Sequence, residues 1–493
     1  MSATPKAAPE GAELPVLIVG TGFSGLAMAI LLKQAGFHDF TLLEKAGDVG
    51  GTWRENTYPG AACDVPSLLY SFSFEPNPGW TRSYSPQREI LAYLRRCAEK
   101  YGLLPHIRFH AEVDGAVFDE ATGTWTVHTR DGVSRRARAL VLGNGALHLP
   151  SLPKIPGRES FAGEAFHSAR WNHGYDLTGK RVGVIGTGAS TIQVVPELAK
   201  TAARLDVFQR TPPWIVPRED RAFGPGEQAT FARAPWIQGA CRAAIYWRLE
   251  TRGLGFSVAP WILTLGERIA KKHLHAAIKD PALRAALTPT YRMGCKRILL
   301  SDDYYPTLTR PNVALVTEPI EAIEPRGIRL QGGSLRELDA LVYSTGFNVA
   351  EYLTPIQITG AGGRDLAATW RACPEAYLGI TVAGFPNLYL LMGPNTGLGH
   401  NSMIFMIEAQ ARYALQCIQA LRDQRLVSLD VRPEVQSSFN VALQEKLAST
   451  VWQSGCKSWY LDDTGRNASI WPGPTWNYWL RTRRVRLDDY VLR

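Results

Sequence analysis

The sequence has few cysteines, and none of them are paired at short spacing. Its seven cysteines are scattered over 493 residues, and no two form a CxxC motif or a spacing typical of metal ligands. An odd number also argues against a disulfide framework. We therefore expect buried free thiols and no bound metal.

Long apolar runs are absent as well. No stretch of about eighteen uncharged apolar residues could span a bilayer as a helix. Residues 1–15 have no apolar segment between a charged start and a cleavage site, as a signal peptide would. We expect a short disordered leader, no membrane partner and a cytoplasmic location.

Nucleic-acid-binding motifs are also missing, although the net charge is +9. The basic residues are spread along the chain instead of forming one patch. Attraction of polyanionic dinucleotides accounts for the sign of the charge. The length predicts about three domains of roughly 150 residues each.

A nucleotide-binding unit begins the chain. A predicted strand, Val16 to Val19, leads into GTGFSG at 20–25, then a helix ending near Gly36, and a second strand ending at Glu44. Glycines in such a turn let backbone approach a pyrophosphate, and the helix N-terminus offers free N–H groups. Glu44 would accept hydrogen bonds from ribose hydroxyls. The expected cofactor contacts here are Gly20, Gly22, Phe23, Ser24, Gly25, Glu44 and Lys45.

The same unit recurs, because VGVIGTGAST at 182–191 repeats VLIVGTGFSG at 16–25. The position that holds Glu44 in the first copy holds Arg210 in the second. A carboxylate suits free ribose hydroxyls, as in FAD, whereas an arginine suits the 2′-phosphate of NADPH. Thr191 replaces the third glycine and should loosen packing of the helix on its strand. The expected contacts are Gly186, Thr187, Gly188, Ala189, Ser190, Gln193, Arg210 and Thr211.

Other elements can be placed by pattern. A helix from Ser85 to Gly102 has an N-cap, a first-turn proline and a terminal glycine where they belong. Alternation predicts strands at 124–129 and 139–142, and a Gly332-Gly333 hairpin precedes a strand at 338–343. Residues 222–286 are helical and aromatic, which indicates either a plain helical subdomain or the lining of a substrate tunnel. A strand at 387–391 and the glycine-rich loop 392–402 precede a long helix.

Two further stretches carry more specific patterns. Residues 50–64 read GGxWxxxxYPGxxxD, and residues 161–171 read FxGxxxHxxxW. Together they resemble the paired signatures of the type I Baeyer–Villiger monooxygenases. The resemblance implies an α/β fold with two Rossmann-like dinucleotide-binding domains, one for FAD and one for NADP, and a helical insertion in the NADP domain. It also implies a flavin enzyme that uses NADPH and O2 to convert ketones to esters or lactones through a C4a-peroxyflavin.

The resemblance assigns roles to more residues. Arg297, in Gly294-Cys295-Lys296-Arg297, would be the cation that stabilises the peroxide, Asp64 would orient it, and Lys296 would join Arg210 on the 2′-phosphate. Further cofactor contacts would come from the signatures, from a second crossing between the domains at 344–347 and from the glycine-rich loop 392–402. They are Gly51, Thr52, Trp53, Tyr58, Thr345, Gly346, Asn395 and Thr396. The fingerprint residues Phe161, Gly163, His167 and Trp171 would couple bound nucleotide to the crossing between domains.

Some positions depart from the family pattern, and other functions stay open. Asn172 and Gly143-Asn144-Gly145 are unusual for this family. A related flavin-containing monooxygenase would oxygenate nitrogen or sulfur, and usually has Tyr or Phe in place of Trp171. A non-enzymatic flavin-binding redox protein would not need Arg297 or Asp64. A disulfide reductase is disfavoured because Cys63 has no partner nearby in sequence.

The order of these motifs predicts a chain that enters each domain twice. The FAD-binding domain would comprise 1–148 and 345–493, and the NADP-binding domain 149–213 and 291–344. Residues 214–290 would form the helical insertion. We expect a monomer or a small homo-oligomer.

Overall fold

The computed structural model describes residues 13–349, 353, 355–455, 460–461 and 464–493. The predicted leader lies almost wholly outside them, as does Cys456.

Strands form one mixed sheet, one parallel sheet and smaller ribbons. In chain order they are β1 (Glu13–Val19), β2 (Phe40–Leu43), β3 (Ile107–Arg108), β4 (Val113–Asp119), β5 (Thr124–Thr129), β6 (Ser134–Leu142), β7 (Glu164–His167), β8 (Arg181–Ile185), β9 (Arg204–Phe208), β10 (Ile215–Val216), β11 (Leu299–Leu300), β12 (Val313–Val316), β13 (Ile320–Glu324), β14 (Gly327–Leu330), β15 (Leu335–Glu337), β16 (Ala340–Tyr343), β17 (Gln357–Thr359), β18 (Leu388–Leu390), β19 (Leu429–Val431) and β20 (Tyr490–Leu492).

Helices cover the sheets and fill the segment between β10 and β11. They are α1 (Phe23–Gln34), α2 (Thr52–Glu55), α3 (Gln87–Lys100), α4 (Ala189–Leu198), α5 (Pro225–Arg233), α6 (Pro235–Ser257), α7 (Trp261–Ala277), α8 (Pro281–Ala286), α9 (Tyr304–Thr307), α10 (Leu366–Thr369), α11 (Met403–Asp423), α12 (Pro433–Ala448) and α13 (Thr475–Thr482). The helices predicted after Gly25, at 85–102 and from Met403 are confirmed.

The first sheet is assembled from both ends of the chain. Its order is β17-β4-β5-β6-β1-β2-β3, and β18 also pairs with β6. β1 lies parallel to both β2 and β6, so the turn after β1 opens at the carboxyl edge of the sheet. The predicted strands at 124–129 and 139–142 lie in β5 and β6. The α/β class expected from the sequence is confirmed.

The second sheet has the order β12-β9-β8-β16-β7, with every pair parallel. Its strands come from residues 164–208 and 313–343, so the chain leaves this sheet and returns after α5–α8. The predicted Gly332-Gly333 hairpin connects β14 and β15, which pair antiparallel. Two crossing segments join the sheets, and they pair with each other through Pro150 and Phe347.

The largest apolar core lies between the first sheet and helices α1, α3 and α11. α1 buries ten successive residues from Phe23 to Leu32, because the sheet covers one side and α11 the other. Burying a large apolar side chain stabilises the fold by about 1.5–3 kcal/mol. This packing fixes the N-terminal end of α1, where the glycine turn lies.

The thiols only partly match the expectation. Cys63, Cys97, Cys373 and Cys417 are buried free thiols, and Cys241 is a half-buried one. Cys295, however, is disulfide-bonded, so the expectation of free thiols throughout was wrong. Scattered spacing along a sequence does not reveal which thiols a fold brings together. Among the described residues, no group of His, Cys, Asp and Glu could hold a metal ion, and no helix is long and apolar enough to cross a membrane.

Candidate active site

The first glycine turn is closely packed against the sheet. Gly20 has φ +93°, and a Cβ there would lie 2.7 Å from the carbonyl oxygen of Gly143. At Gly25 a Cβ would lie 1.9 Å from the Gly20 oxygen, so neither position tolerates a side chain. α1 starts after Gly22 with no side-chain cap and no acidic residue in its first turn. Its first N–H groups are therefore available to an anion.

Glu44 lies beside this turn and is 3% exposed. Its carboxylate accepts hydrogen bonds from the N–H and hydroxyl of Thr21 at 3.1 and 2.6 Å and from the N–H of Ala46 at 3.0 Å. Arg54 Nη1 lies 2.9 Å from Glu44 Oε1, the oxygen that also accepts from Ala46. The pattern predicted Glu44 but not Arg54, which stands at a variable position of the first signature. The neighbouring Lys45 is exposed.

The second glycine turn is more open. Gly186, with φ +125°, approaches the crossing so closely that a Cβ would lie 2.2 Å from the Ser344 oxygen, but a Cβ at Gly188 would meet nothing within 4 Å. Thr191 is fully buried, and its hydroxyl has no hydrogen-bond partner. Thr191 stands at the position equivalent to Gly25, and looser packing of α4 on its strand stays a prediction. The N-terminus of α4 also lacks a side-chain cap.

Two cations lie near the second turn. Arg210 follows β9 and is exposed, and Lys296 is half-buried. Burial and the nearby charge of Arg210 lower the pKa of Lys296, which places the two charges within electrostatic reach. Lys296 Nζ also lies 5.0 Å from the centre of the Tyr291 ring. Thr187 donates a hydrogen bond to the Thr211 carbonyl at 3.0 Å and closes the same corner.

Arg297 and Asp64 form the ion pair that the sequence predicted. Arg297 donates from Nε and Nη2 to one oxygen of Asp64, at 3.0 and 2.6 Å. The Asp64 charge raises the pKa of Arg297 further. The Arg297 side chain is nevertheless 39% exposed, so it is not sealed in the protein interior. Cys295, two residues earlier, anchors this segment in the interior.

The first signature is bound to the second nucleotide fold through Gln193. Tyr58 donates to Gln193 Oε1 at 2.9 Å, and Gln193 Nε2 donates to the Ala62 carbonyl at 3.0 Å. A Cβ at Gly60 would lie 2.5 Å from the Gln193 backbone oxygen. The sequence predicts Gln193 as a cofactor contact, and its amide also secures this loop. Trp53 Nε1 donates to the Tyr70 hydroxyl at 3.1 Å, whereas Gly51 packs against Gly22 and Thr52 starts α2.

The fingerprint residues lie where the second sheet meets the crossings. His167 ends β7 opposite Tyr343, its Nδ1 accepts from the Ala169 N–H at 3.1 Å, and its ring contacts Phe347. Burial lowers the pKa of His167 to about 4, so the imidazole is neutral at pH 7. Trp171 packs edge-on against Phe166.

Phe161 packs beside the core of the second sheet, and its ring leaves no room for a Cβ at Gly163. The residue after the fingerprint, Asn172, donates to Glu164 at 2.7 Å and accepts from Gly174 at 2.9 Å. These contacts explain the departure at Asn172 as a local turn anchor.

Two contacts between the signature segments were not predicted from the sequence. Arg170 forms an ion pair with Glu55 of the first signature, and His173 shares a hydrogen bond of 2.8 Å with Thr57. Both join the fingerprint segment to the first signature. A charged residue in each motif was the only available signal, since neither spacing nor periodicity indicates contact between residues so far apart.

The second crossing and the loop at 392–402 are held mainly by their own side chains. Thr345 donates to the Ser151 carbonyl at 2.5 Å, and Gly346 accepts from the Ser151 N–H at 2.9 Å. Asn395 donates to the carbonyls of residues 467 and 470 at 2.6 and 3.2 Å, and Thr396 donates to Gly393 at 2.7 Å. A cofactor contact from this loop would therefore come from its backbone.

α6 reaches the same region from the other side. The ring of Phe256 leaves little space for a Cβ at Gly294 or Gly399, with distances of 3.0 and 3.5 Å. Glu250, also on α6, is buried and lies 3.3 Å from His400 Nε2 in the loop. The inner face of the helical segment thus lines the region beside Arg297, whereas the sequence left open whether this segment was a plain subdomain.

Comparison with known proteins identifies the family. Residues 14–355 match the family described as flavin-binding monooxygenase-like. A Baeyer–Villiger monooxygenase of Pseudomonas aeruginosa is 49% identical over 97% of this chain and 91% of its own.

Two solved structures have a similar fold. One is titled OTEMO complex with FAD and NADP: it is 28% identical, has a TM-score of 0.87 and covers 97% of this chain and 99% of its own. The other is cyclohexanone monooxygenase from Rhodococcus sp. Phi1 bound to NADP+, also 28% identical, with a TM-score of 0.88, covering 99% of this chain and all of its own. The chain therefore belongs to the flavin-binding monooxygenase-like family and, within it, to the Baeyer–Villiger monooxygenases.

Proposed function

We propose that the protein binds FAD at the β1–α1 turn and NADPH at the β8–α4 turn, and that it uses O2 to convert ketones to esters or lactones. The observation that carries this proposal is the ion pair between Arg297 and Asp64. Asp64 closes the first signature, and Lys296, beside Arg297, lies near Arg210 of the second nucleotide fold. One fixed cation thus lies between the two proposed nucleotide sites.

The residues around the first turn fit a dinucleotide. The uncapped N-terminus of α1 suits a pyrophosphate, and the Gly20 backbone is unshielded by a side chain. Asn144 lies next to Gly20, and both polar atoms of its amide are buried without a partner. Buried amides ordinarily have partners, so a bound group would satisfy this one. FAD would be held by Gly20, Gly22, Phe23, Ser24, Gly25, Glu44, Lys45, Gly51, Thr52 and Trp53, with backbone from Thr345, Gly346, Asn395 and Thr396.

The second turn fits a nucleotide with an added phosphate. Gly188 is open, α4 is uncapped, and Arg210 and Lys296 supply two positive charges nearby. Charge-assisted hydrogen bonds to a phosphate are stronger than those to a neutral hydroxyl. NADPH would be held by Gly186, Thr187, Gly188, Ala189, Ser190, Arg210, Thr211 and Lys296, while Tyr58 and Gln193 fix the loop between the sites.

Arg297 would provide the electrostatic part of catalysis. The flavin, once reduced by NADPH, supplies the activation of O2. Arg297 keeps its positive charge at any working pH, and Asp64 holds the guanidinium in one orientation through two hydrogen bonds. The exposed part of Arg297 can then donate to oxygen atoms that become negative as the ketone reacts, which lowers the barrier.

The fingerprint residues would act at a distance from the reacting atoms. His167 is neutral and buried between β16 and the crossing, and Arg170 links its segment to Glu55. We propose that Phe161, Gly163, His167 and Trp171 transmit nucleotide binding to the crossings, and that the FAD and NADP domains divide at the boundaries predicted above. A cytoplasmic monomer or small homo-oligomer belongs to the same proposal.

Product analysis tests the reaction. NADPH oxidation by the yellow holoenzyme should rise when ketone is added, and each turnover should yield one ester or lactone, one NADP+ and one water. Isotopically heavy O2 should label the new ring or ester oxygen. Oxidation of sulfides or amines only, with no ester from a broad ketone panel, would overturn the proposal.

A further inference from the structure

The helix α6 presents an apolar stripe to solvent. Trp236 and Trp247 of α6, and Val258 directly after its last residue, follow one another at intervals of eleven positions. At about 100° per residue they lie on nearly the same side. Trp236 is 75% exposed and Val258 is 72% exposed. Large apolar residues exposed in a row are unusual on a protein that has no partner for them.

The helix α7 also presents apolar residues to solvent. Trp261, Leu265 and Ile269 follow one another at four-residue spacing, and Trp261 is 70% exposed. The two helices pack together, since a Cβ at Gly255 of α6 would lie 3.3 Å from Ile262 of α7. Trp236, Trp247, Val258, Trp261, Leu265 and Ile269 are called the docking face below.

Charge around the docking face has one sign. Residues 228–279 contain eight Lys or Arg but only two acids, Glu250 and Glu267. Glu250 is buried, and Glu267 is half-buried and accepts from the Met293 N–H at 3.0 Å. Arg268 and Lys272 are exposed on α7, and in the described part of the chain neither forms an ion pair. Within residues 228–279 no exposed carboxylate offsets the basic residues, while the flanking Glu227 pairs with Arg221 and the flanking Asp280 caps α8.

We propose that the docking face binds the surface of a bilayer containing anionic phospholipid, with α6 and α7 lying along the interface. Trp residues favour the boundary between headgroups and acyl chains. Basic residues beside an apolar helix face are attracted to anionic lipid. A second copy of the chain fits worse, because a twofold contact would bring two basic, acid-free faces together. The sequence analysis expected no membrane partner, and the proposal replaces that expectation with surface binding.

The helix α6, which carries part of the docking face, also contacts segments of the proposed active site. Phe256 lies about 180° around α6 from the stripe and contacts the Gly294 segment. Glu250 is closer to the stripe but buried, and it contacts His400. α6 therefore contacts the segment that carries Arg297 and also carries residues of the docking face.

Vesicle sedimentation tests the proposal with the full-length, flavin-loaded protein. It should pellet with vesicles of phosphatidylcholine mixed with phosphatidylglycerol, and binding should fall as salt is raised. Replacing two basic residues, R268Q with K272Q, should weaken binding by about thirtyfold, since each contributes roughly 1 kcal/mol near an anionic surface. Val258→Asp should weaken binding by at least about tenfold.

The matched control is Val441→Asp on α12, which makes the same change at a position that is 58% exposed. It should bind vesicles like the parent, and both variants should retain FAD and their circular dichroism. The proposal is overturned if the parent ignores anionic vesicles, if it binds pure phosphatidylcholine equally well, or if Val441→Asp and Val258→Asp lose the same affinity. Analytical ultracentrifugation showing a dimer that Val258→Asp dissociates would assign the face to a second copy instead.

Discussion

The pairing of Arg297 with Asp64 predicts how mutations at the two positions combine. Arg297→Ala removes a charged donor from the proposed reaction site, and loss of one such donor typically costs about 2.7–4 kcal/mol, or roughly a hundredfold to a thousandfold in rate. Asp64→Ala removes the acceptor of two hydrogen bonds at 3.0 and 2.6 Å. The freed guanidinium can then adopt unproductive rotamers, so this variant should lose at least about tenfold.

The double variant should be no slower than Arg297→Ala alone, because Asp64 acts only through Arg297. The coupling energy between the two positions should then equal the whole effect of Asp64→Ala, at least about 1.4 kcal/mol. The assay is ester formed per NADPH consumed at saturating ketone, with bound FAD measured in each variant. Arg292→Ala is the control, since Arg292 is an exposed arginine in the same segment. Additive losses, or near-normal ester formation by Arg297→Ala, would refute the assignment.

Three other predictions concern binding and stability. Arg210→Ala should reduce the preference for NADPH over NADH by at least about tenfold, mostly through KM for NADPH, because a charged hydrogen bond contributes roughly 1.5–3 kcal/mol; an unchanged ratio of kcat/KM values would remove Arg210 from the phosphate site. Glu44→Ala should release FAD on gel filtration, and it also removes one of the two carboxylates with which Arg54 pairs; a variant that stays fully yellow contradicts this. Burial lowers the pKa of His167 to about 4, below the ordinary 6.5. Its contribution to stability is therefore present above pH 6.5 and lost as pH falls towards 4, on the order of 3 kcal/mol in all. The Tm difference between parent and His167→Gln should shrink over that pH window, and a constant difference would show that His167 does not titrate this way.

The sequence was sufficient for the parts of the site that local pattern determines. A glycine turn between a strand and a helix, with Glu44 or Arg210 at the end of the next strand, follows from backbone geometry and charge within about 25 residues. The family resemblance supplied the pairing of Arg297 with Asp64, which the geometry bears out.

Contacts that depend on packing between distant segments could not be predicted. Gln193 and Asn395 are predicted cofactor contacts, and the sequence did not indicate that their amides also secure neighbouring loops. Residue type shows that an amide is available, but not which of several nearby partners it meets. The same holds for Arg170 with Glu55 and for the disulfide at Cys295.

The pairing of β18 with β6 has a consequence for synthesis on the ribosome. Leu388–Leu390 pair with Leu140–Leu142, so this side of β6 stays unpaired while nearly 250 residues are translated. Until then the nascent chain presents an open, wholly apolar strand edge of the kind that recruits other chains. Fragments that end before Leu388 should therefore aggregate when expressed alone, and slower translation of the second sheet should increase the protein's dependence on chaperones.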